Sequence, residues 1–167
     1  MCLYTNTNRC EIADRDITVY KYVAKRVLIH DSRSERKLVR QDDEDYRRHY
    51  AHEFVWVSPY RIMSKTIYTI GGTVTDGNFQ KATARKDSAS EFFIVERGLH
   101  AFANETDAVI RANTFVDADV GSGVLKCVIP TGTRYWISED TQEYCAETLK
   151  VDSLVYEAHS CYETLGN

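Results

Sequence analysis

The stretch RGLHAF, residues 97–102, brings a guanidinium and an imidazole to either side of a glycine. Arg97 offers a planar fork that suits phosphate or carboxylate, and His100 can donate, accept or titrate. Gly98 marks a strand-to-helix connection where the backbone turns or approaches another group closely. The free N–H groups of a helix beginning near Asn104 would add to an anion site here. Lys126, Arg134, Tyr135 and Trp136 form a second set, flanking the turn PTGT (130–133), with cations to meet an anion and rings to stack on a base. Both sets also have plain structural readings. His100 suits a satisfied core histidine, Arg97 a surface ion pair, and the aromatic pair routine cross-strand packing.

Other chemistries find less support. A chain that starts Met-Cys can expose Cys2 as an N-terminal nucleophile whose own amine is the base, as in N-terminal-nucleophile hydrolases, with Arg15 and Asp16 placed as supporting residues. Here TNTNRCEIADRD separates Cys2 from the first convincing strand, and the expectation is an ordinary thiol. The five cysteines (Cys2, Cys10, Cys127, Cys145 and Cys161) are odd in number with no leader before them, which argues against a disulfide framework, and they include no CxxC pair, which argues against a zinc knuckle. His49 and His52, three apart in RRHYAHE, suit a solvated helix face better than a metal site. No nucleophile–base–orienter set, carboxylate pair or metal cluster assembles, so the reading assigns no catalytic residue, no metal and no cofactor.

The elements that must position these residues are mostly strands. ITVYKYV (17–23), FVWVSPYRI (54–62, stopped at Ser58-Pro59), TIYTI (66–70), EFFIV (91–95), VLKCVI (124–129), RYWI (134–137) and a stretch around 148–156 have strand patterns. GGTVTDGN (71–78) supplies turn residues, and QKATARKD (80–87) reads as loop. NETDAVIRAN (104–113) reads as a short helix, with Asn104 as N-cap, Glu105 and Asp107 at its positive end, and Ala108, Val109 and Ala112 on a narrow apolar face. The charged run 31–53 reads as an insertion between strands: a solvated helix, a lid or an oligomer arm. The expected fold is α+β, a mainly antiparallel sheet with one or two short helices in a single domain over 1–167. A net charge of -4 argues against nucleic acid as partner. Apolar runs are short and no basic-then-apolar leader opens the chain, so the expectation is no membrane and a cytoplasmic location.

With MCLYTN, DITVYKYV, RGLHAFANETDA and VLKCVIPTGTRYWISEDTQEYCAETLKV in view, the chain resembles a group of uncharacterised small proteins of gut Bacteroidales and their phages. That resemblance implies a bacterial or phage origin. A looser one links GLHAFANETDAVIRA and the turn before Tyr135 to ADP-ribosyltransferase-like folds. It implies Tyr20 and Lys21 on the first strand of a pocket, Arg97 and His100 facing it, and Glu143 as the candidate carboxylate. The chain reads Gln142-Glu143-Tyr144 where such enzymes carry a paired ExE or QxE, and its first strand lacks their NAD-holding residues.

The leading expectation is therefore a non-enzymatic protein that binds a small phosphate-bearing molecule, in its concrete form a nucleotide-type immune signal sequestered by a phage. Arg97, His100, Lys126 and Arg134 would hold phosphates, and Tyr20 or Tyr135 would stack on the base. The alternatives are a transferase-like enzyme acting on NAD or an ADP-ribosylated molecule, and a protein-interaction module inhibiting a host protein through an apolar patch. A homo-oligomer is compatible with each.

Overall fold

The computed structural model describes residues 3–5, 9–30, 36–39, 52–59, 66–77, 79, 85–86, 93–95, 97–114, 121–138 and 140–159. The expectations about Cys2, Cys161 and His49 fall outside them. The strands are β1 (Leu3–Thr5), β2 (Glu11–Ile12), β3 (Ile17–His30), β4 (Arg36–Val39), β5 (His52–Val57), β6 (Ile67–Tyr68) and β7 (Thr73–Thr75). Then come β8 (Arg85–Lys86), β9 (Phe93–Val95), β10 (Leu99–Phe102), the helix α1 (Glu105–Thr114), β11 (Gly121–Ile129), β12 (Arg134–Ser138), β13 (Glu143–Ala146) and β14 (Thr148–His159). Pairing among them is antiparallel throughout. The sheet-dominated class expected from sequence is present, with one helix among the described residues. No described helix is long and apolar enough to cross a membrane.

β3 organises the main sheet. Its β-branched and aromatic residues favour extended backbone, and the pattern runs on through Val27, Leu28 and Ile29, so the strand reaches His30 rather than ending at Val23. On one edge its first half pairs with β11, from Ile17↔Ile129 to Ser122↔Ala24, and its end pairs with β4. The other edge is divided. β10 meets it at one register pair, Phe102↔Tyr20, and β5 begins at Ala24↔Val57. Between these, Lys21–Val23 face a fork where the sheet splits.

The eleven-stranded sheet follows the order β2-β12-β13-β10-β3-β11-β14-β7, with β4 and β5 on β3 and β6 on β5. β6 hangs from β5 and β7 from β14, yet these two are consecutive in the chain. A tight turn joins them: Gly72 N donates to Thr69 O at 2.8 Å, and Gly71 takes φ 79°. The sheet therefore curls, and the curl encloses Val19, Val23, Tyr68, Leu125, Cys127, Leu149 and Val151.

The opposite face carries two covers. α1 lays Ala108 and Ala112 on Tyr22, Phe102 and Val124. A three-stranded sheet, β1-β9-β8, sets Leu3 and Val95, with Phe79, against Trp136 and Cys145.

Several expectations are corrected. RGLHAF is not a strand-to-helix connection: Leu99–Phe102 is a strand held between β13 and β3, and the helix starts three residues later. Within 31–53, Arg36–Val39 pairs with β3 as a cationic edge strand and His52 opens β5, so those parts are not helix. Thr73–Thr75 and Arg85–Lys86, read as turn and loop, are short strands because β14 and β9 offer them edges. The strand in FVWVSPYRI stops at Val57, as Ser58-Pro59 leads one to expect, but it opens earlier than Phe54, at His52.

Candidate functional site

An open cleft of about 400 Å³ lies between α1 and the turn joining β12 to β13. Asp107, Ile110, Arg111 and Thr114 form one helix wall, spaced i, i+3, i+4 and i+7 as a single face requires. Asp140, Thr141 and Glu143 form the other wall, and Phe102 also lines it.

Both walls are fixed locally. Asn104 caps α1, its Oδ1 accepting from Asp107 N at 2.9 Å while its Nδ2 donates to Asp107 Oδ2 at 2.6 Å. The turn is held by Gln142, which takes φ 51° and accepts from Ala103 N at 2.8 Å. Glu143 is then registered opposite Phe102 on one side and Ser138 on the other.

The cleft is acidic. Three carboxylates line it with one guanidinium, and Arg111 Nη2 stands 4.0 Å from Glu143 Oε1. Burial raises the Glu143 carboxyl above its ordinary range. Arg111 opposes that shift and Asp107 adds to it. Such a site offers acceptors to ammonium, amino and hydroxyl groups, beside an apolar surface from Phe102 and Ile110.

Of the residues singled out from sequence, Glu143 alone lines this cleft. Tyr20 and Lys126 lie on the same cross-strand row, which runs Glu143–Phe102–Tyr20–Lys126 over four adjacent strands. Tyr20 packs beside α1, and Lys126 Nζ is 3.7 Å from Asp152. Arg134 is bound bidentately by Glu147, at 2.8 and 3.0 Å, and lies over the Phe79 ring. Glu147 holds the Arg134 guanidinium above its usual range, and the carboxylate is lowered in return. Tyr135 is buried and donates to Glu11 Oε2 at 2.6 Å. Burial and the Glu11 acceptor raise its phenol. Arg97 is exposed in the turn before β10. None of Arg97, His100, Lys126 and Arg134 lines the cleft, and Lys126 and Arg134 are each paired with a carboxylate.

His100 and Lys21 are buried. Lys21 Nζ donates to the His100 carbonyl at 2.6 Å across the fork where β10 leaves β3. Burial lowers the Lys21 amine to about 8. Burial also lowers the His100 ring, to about 3, with Lys21 adding to the effect. His100 Nε2 lies 3.7 Å from Cys145 Sγ, and its Nδ1 is buried without a hydrogen-bond partner. Cys145 packs against Leu3 and Val95 of the small sheet, whereas the Lys21 ammonium stands near Tyr68 in the curl, and neither lines the cleft. Cys127 is buried and its thiol pushed up to about 12, while Cys10 is exposed.

Sequence reasoning missed Arg111, Ile110, Asp140 and Thr141 as site residues, and read Asp107 as a helix-start charge only. The spacing 107, 110, 111 and 114 was the available signal. Among the described residues, no group of three or more His, Cys, Asp and Glu side chains is placed to hold a metal ion. No protein-family model matches the chain, nor does any curated protein or solved structure.

Proposed function

We propose that this protein binds a small, donor-rich molecule in the cleft between α1 and the β12–β13 turn and does not convert it. The observation that carries the reading is the half-buried Glu143, set beside Arg111 and Asp107 in an open cleft next to Phe102. A nucleotide-type signal fits if its ribose hydroxyls or base amino groups meet the carboxylates, the base lies along Phe102, and a phosphate, where present, is nearest Arg111. Sequestration of such a signal in a bacterial or phage setting is the form of the proposal that the sequence resemblance favours.

Calorimetric titration with nucleosides, mono- and polyphosphorylated nucleotides and small amines tests it. Binding should favour ligands with at most one phosphate, because three carboxylates repel more. Glu143→Gln should weaken binding by about tenfold, the order expected for one charge-assisted hydrogen bond. Equal affinities in the parent and Glu143→Gln proteins would remove this site.

A second reading, a transferase-like enzyme acting on NAD, is favoured by the same Glu143, since such an enzyme needs its carboxylate at the cleft. It predicts nicotinamide release from NAD that Glu143→Gln abolishes. The interaction-module reading has less support: among the described residues, the exposed large apolar ones, Ile12, Phe54, Ile70, Ile110 and Val155, fall on separate elements of the fold.

A further inference from the structure

Two Arg–Glu pairs among the described residues are made to different standards. Arg134 and Glu147 meet through two hydrogen bonds, at 2.8 and 3.0 Å, and the Glu147 carboxyl is held below its ordinary range. Arg111 Nη2 and Glu143 Oε1 stand 4.0 Å apart, beyond hydrogen-bond reach. Arg111 has a further interaction outside this pair. The Glu143 side chain is only 12% exposed, and burial raises its carboxyl despite the guanidinium. A carboxylate taken this far out of water ordinarily accepts hydrogen bonds from a paired cation. Among the described residues, no group donates a hydrogen bond to the Glu143 carboxylate, which lines the open cleft.

The cleft suits a cation supplied from outside. Its carboxylates, Asp107, Asp140 and Glu143, outnumber the Arg111 guanidinium by two charges. Asp107 is committed to the Asn104 cap, while Asp140 is exposed on the same wall as Glu143. Phe102 and Ile110 line the same space, and Ile110 is 58% exposed. An anion would meet the excess of negative charge, and a neutral ligand would leave Glu143 without a counter-charge. An ammonium supplies three donors and that charge together, and a carbon chain attached to it would cover Ile110. We propose that the ligand of this cleft is an organic amine with two positive charges on a short apolar spine, one ammonium bonded to Glu143 and the other facing Asp140, and that Arg111 is a like-charged neighbour limiting its affinity. This rests on the reading of the cleft as a ligand site and narrows its donor-rich ligand to a cation.

The test is calorimetric titration of the full chain with 1,4-diaminobutane, butylamine and 1,4-butanediol, which share one spine and differ in charge. Affinity should fall about tenfold from the diamine to butylamine, the order of one charge-assisted hydrogen bond, and the diol should not bind. Asp140→Asn should erase the preference for the diamine over butylamine. Arg111→Gln should tighten the diamine by about threefold, because a like charge leaves the cleft. The Arg111 side chain is 37% exposed, so this variant keeps the core. Weaker diamine binding in folded Arg111→Gln protein would show that the guanidinium supports the site, and would overturn the proposal. Diol bound as tightly as diamine, with both lost in Glu143→Gln, would also overturn it while leaving the cleft as a site for neutral donors. Absence of Glu143-dependent binding for these three ligands and for nucleosides would remove the cleft itself.

Discussion

Gly98 shows how one residue can be placed by a partner far along the chain. Its φ is 116°, and a Cβ there would stand 2.4 Å from Cys145 Sγ and 3.1 Å from the Phe79 ring. The backbone passes over the thiol so closely that the Arg97 carbonyl accepts from Cys145 Sγ at 2.8 Å. Gly98→Ala should therefore cost about 3 kcal/mol, from backbone strain and overpacking together, measured by denaturant unfolding. Adding Cys145→Ala should recover part of that loss; a purely additive double variant would mean that strain alone is responsible. His100 leads to a pH prediction. The unfolded imidazole takes a proton near 6.5, whereas the buried ring does so only near 3. Between those values the unfolded chain binds more protons, so stability is full above about pH 6.5 and falls as pH drops. By about pH 4 the loss should be on the order of 3 kcal/mol. His100→Gln should flatten that slope; an unchanged slope would mean that another group titrates. Asp16 and Glu147, lowered by hydrogen bonds from Thr131 and Arg134, contribute only at lower pH. RGLHAF announced a close approach at Gly98, but the partner was hidden, because β-pairing between residues 45 apart leaves no local periodicity.

Among elements, α1 is the one most fully legible from sequence. The Asn104 cap, the early acids and the Ala108–Ala112 spacing predicted 104–113, and the helix spans Glu105–Thr114. Its cap is reciprocal, with Asn104 and Asp107 each donating to the other. Asn104→Ala should cost about 1 kcal/mol of stability. It should also weaken ligand binding in the cleft, because Asp107, Ile110 and Arg111 ride on the first turns it secures. Calorimetry on the folded variant separates the two effects: unchanged affinity would show that the helix face is set by packing alone. The small sheet was less visible. It is joined to the main body partly through Thr5, whose hydroxyl donates to the Ile137 carbonyl at 2.8 Å and closes the outer edge of β12. Thr5→Val should cost about 1–3 kcal/mol, the usual effect of leaving a buried carbonyl unpaired. Strands as short as β8 and β10 have no period to read. They exist because a neighbouring strand offers an edge, and that information is tertiary.

In the whole molecule, the antiparallel, sheet-rich class was readable from alternation and turn residues, while the curl was not. It depends on a two-residue strand and a three-residue strand joined by one turn; the first lies within TIYTI, read as a strand, but the second lies within GGTVTDGN, read as turn residues. The cleft stayed hidden for a related reason: its walls are more than twenty residues apart in sequence and meet only because β13 lies against β10. The curl ties the β5 arm to β14, so the two tryptophans report on one cooperative body, Trp56 at the curl and Trp136 beneath the small sheet. Trp56→Phe and Trp136→Phe proteins, each followed by fluorescence and by far-ultraviolet circular dichroism, should unfold with coincident midpoints within each variant. Separate midpoints would mean that the small sheet or the arm opens first. β3 also limits how a gene for this fold can change. Its even-numbered residues Tyr20, Tyr22 and Ala24 face one layer and its odd-numbered Val19, Lys21 and Val23 the other. A one-codon insertion or deletion before Tyr20 would turn Lys21 out of the curl and push tyrosines into it, on every ladder that the strand shares at once. Descendants of this gene can exchange letters within residues 17–30, but they cannot readily gain or lose one.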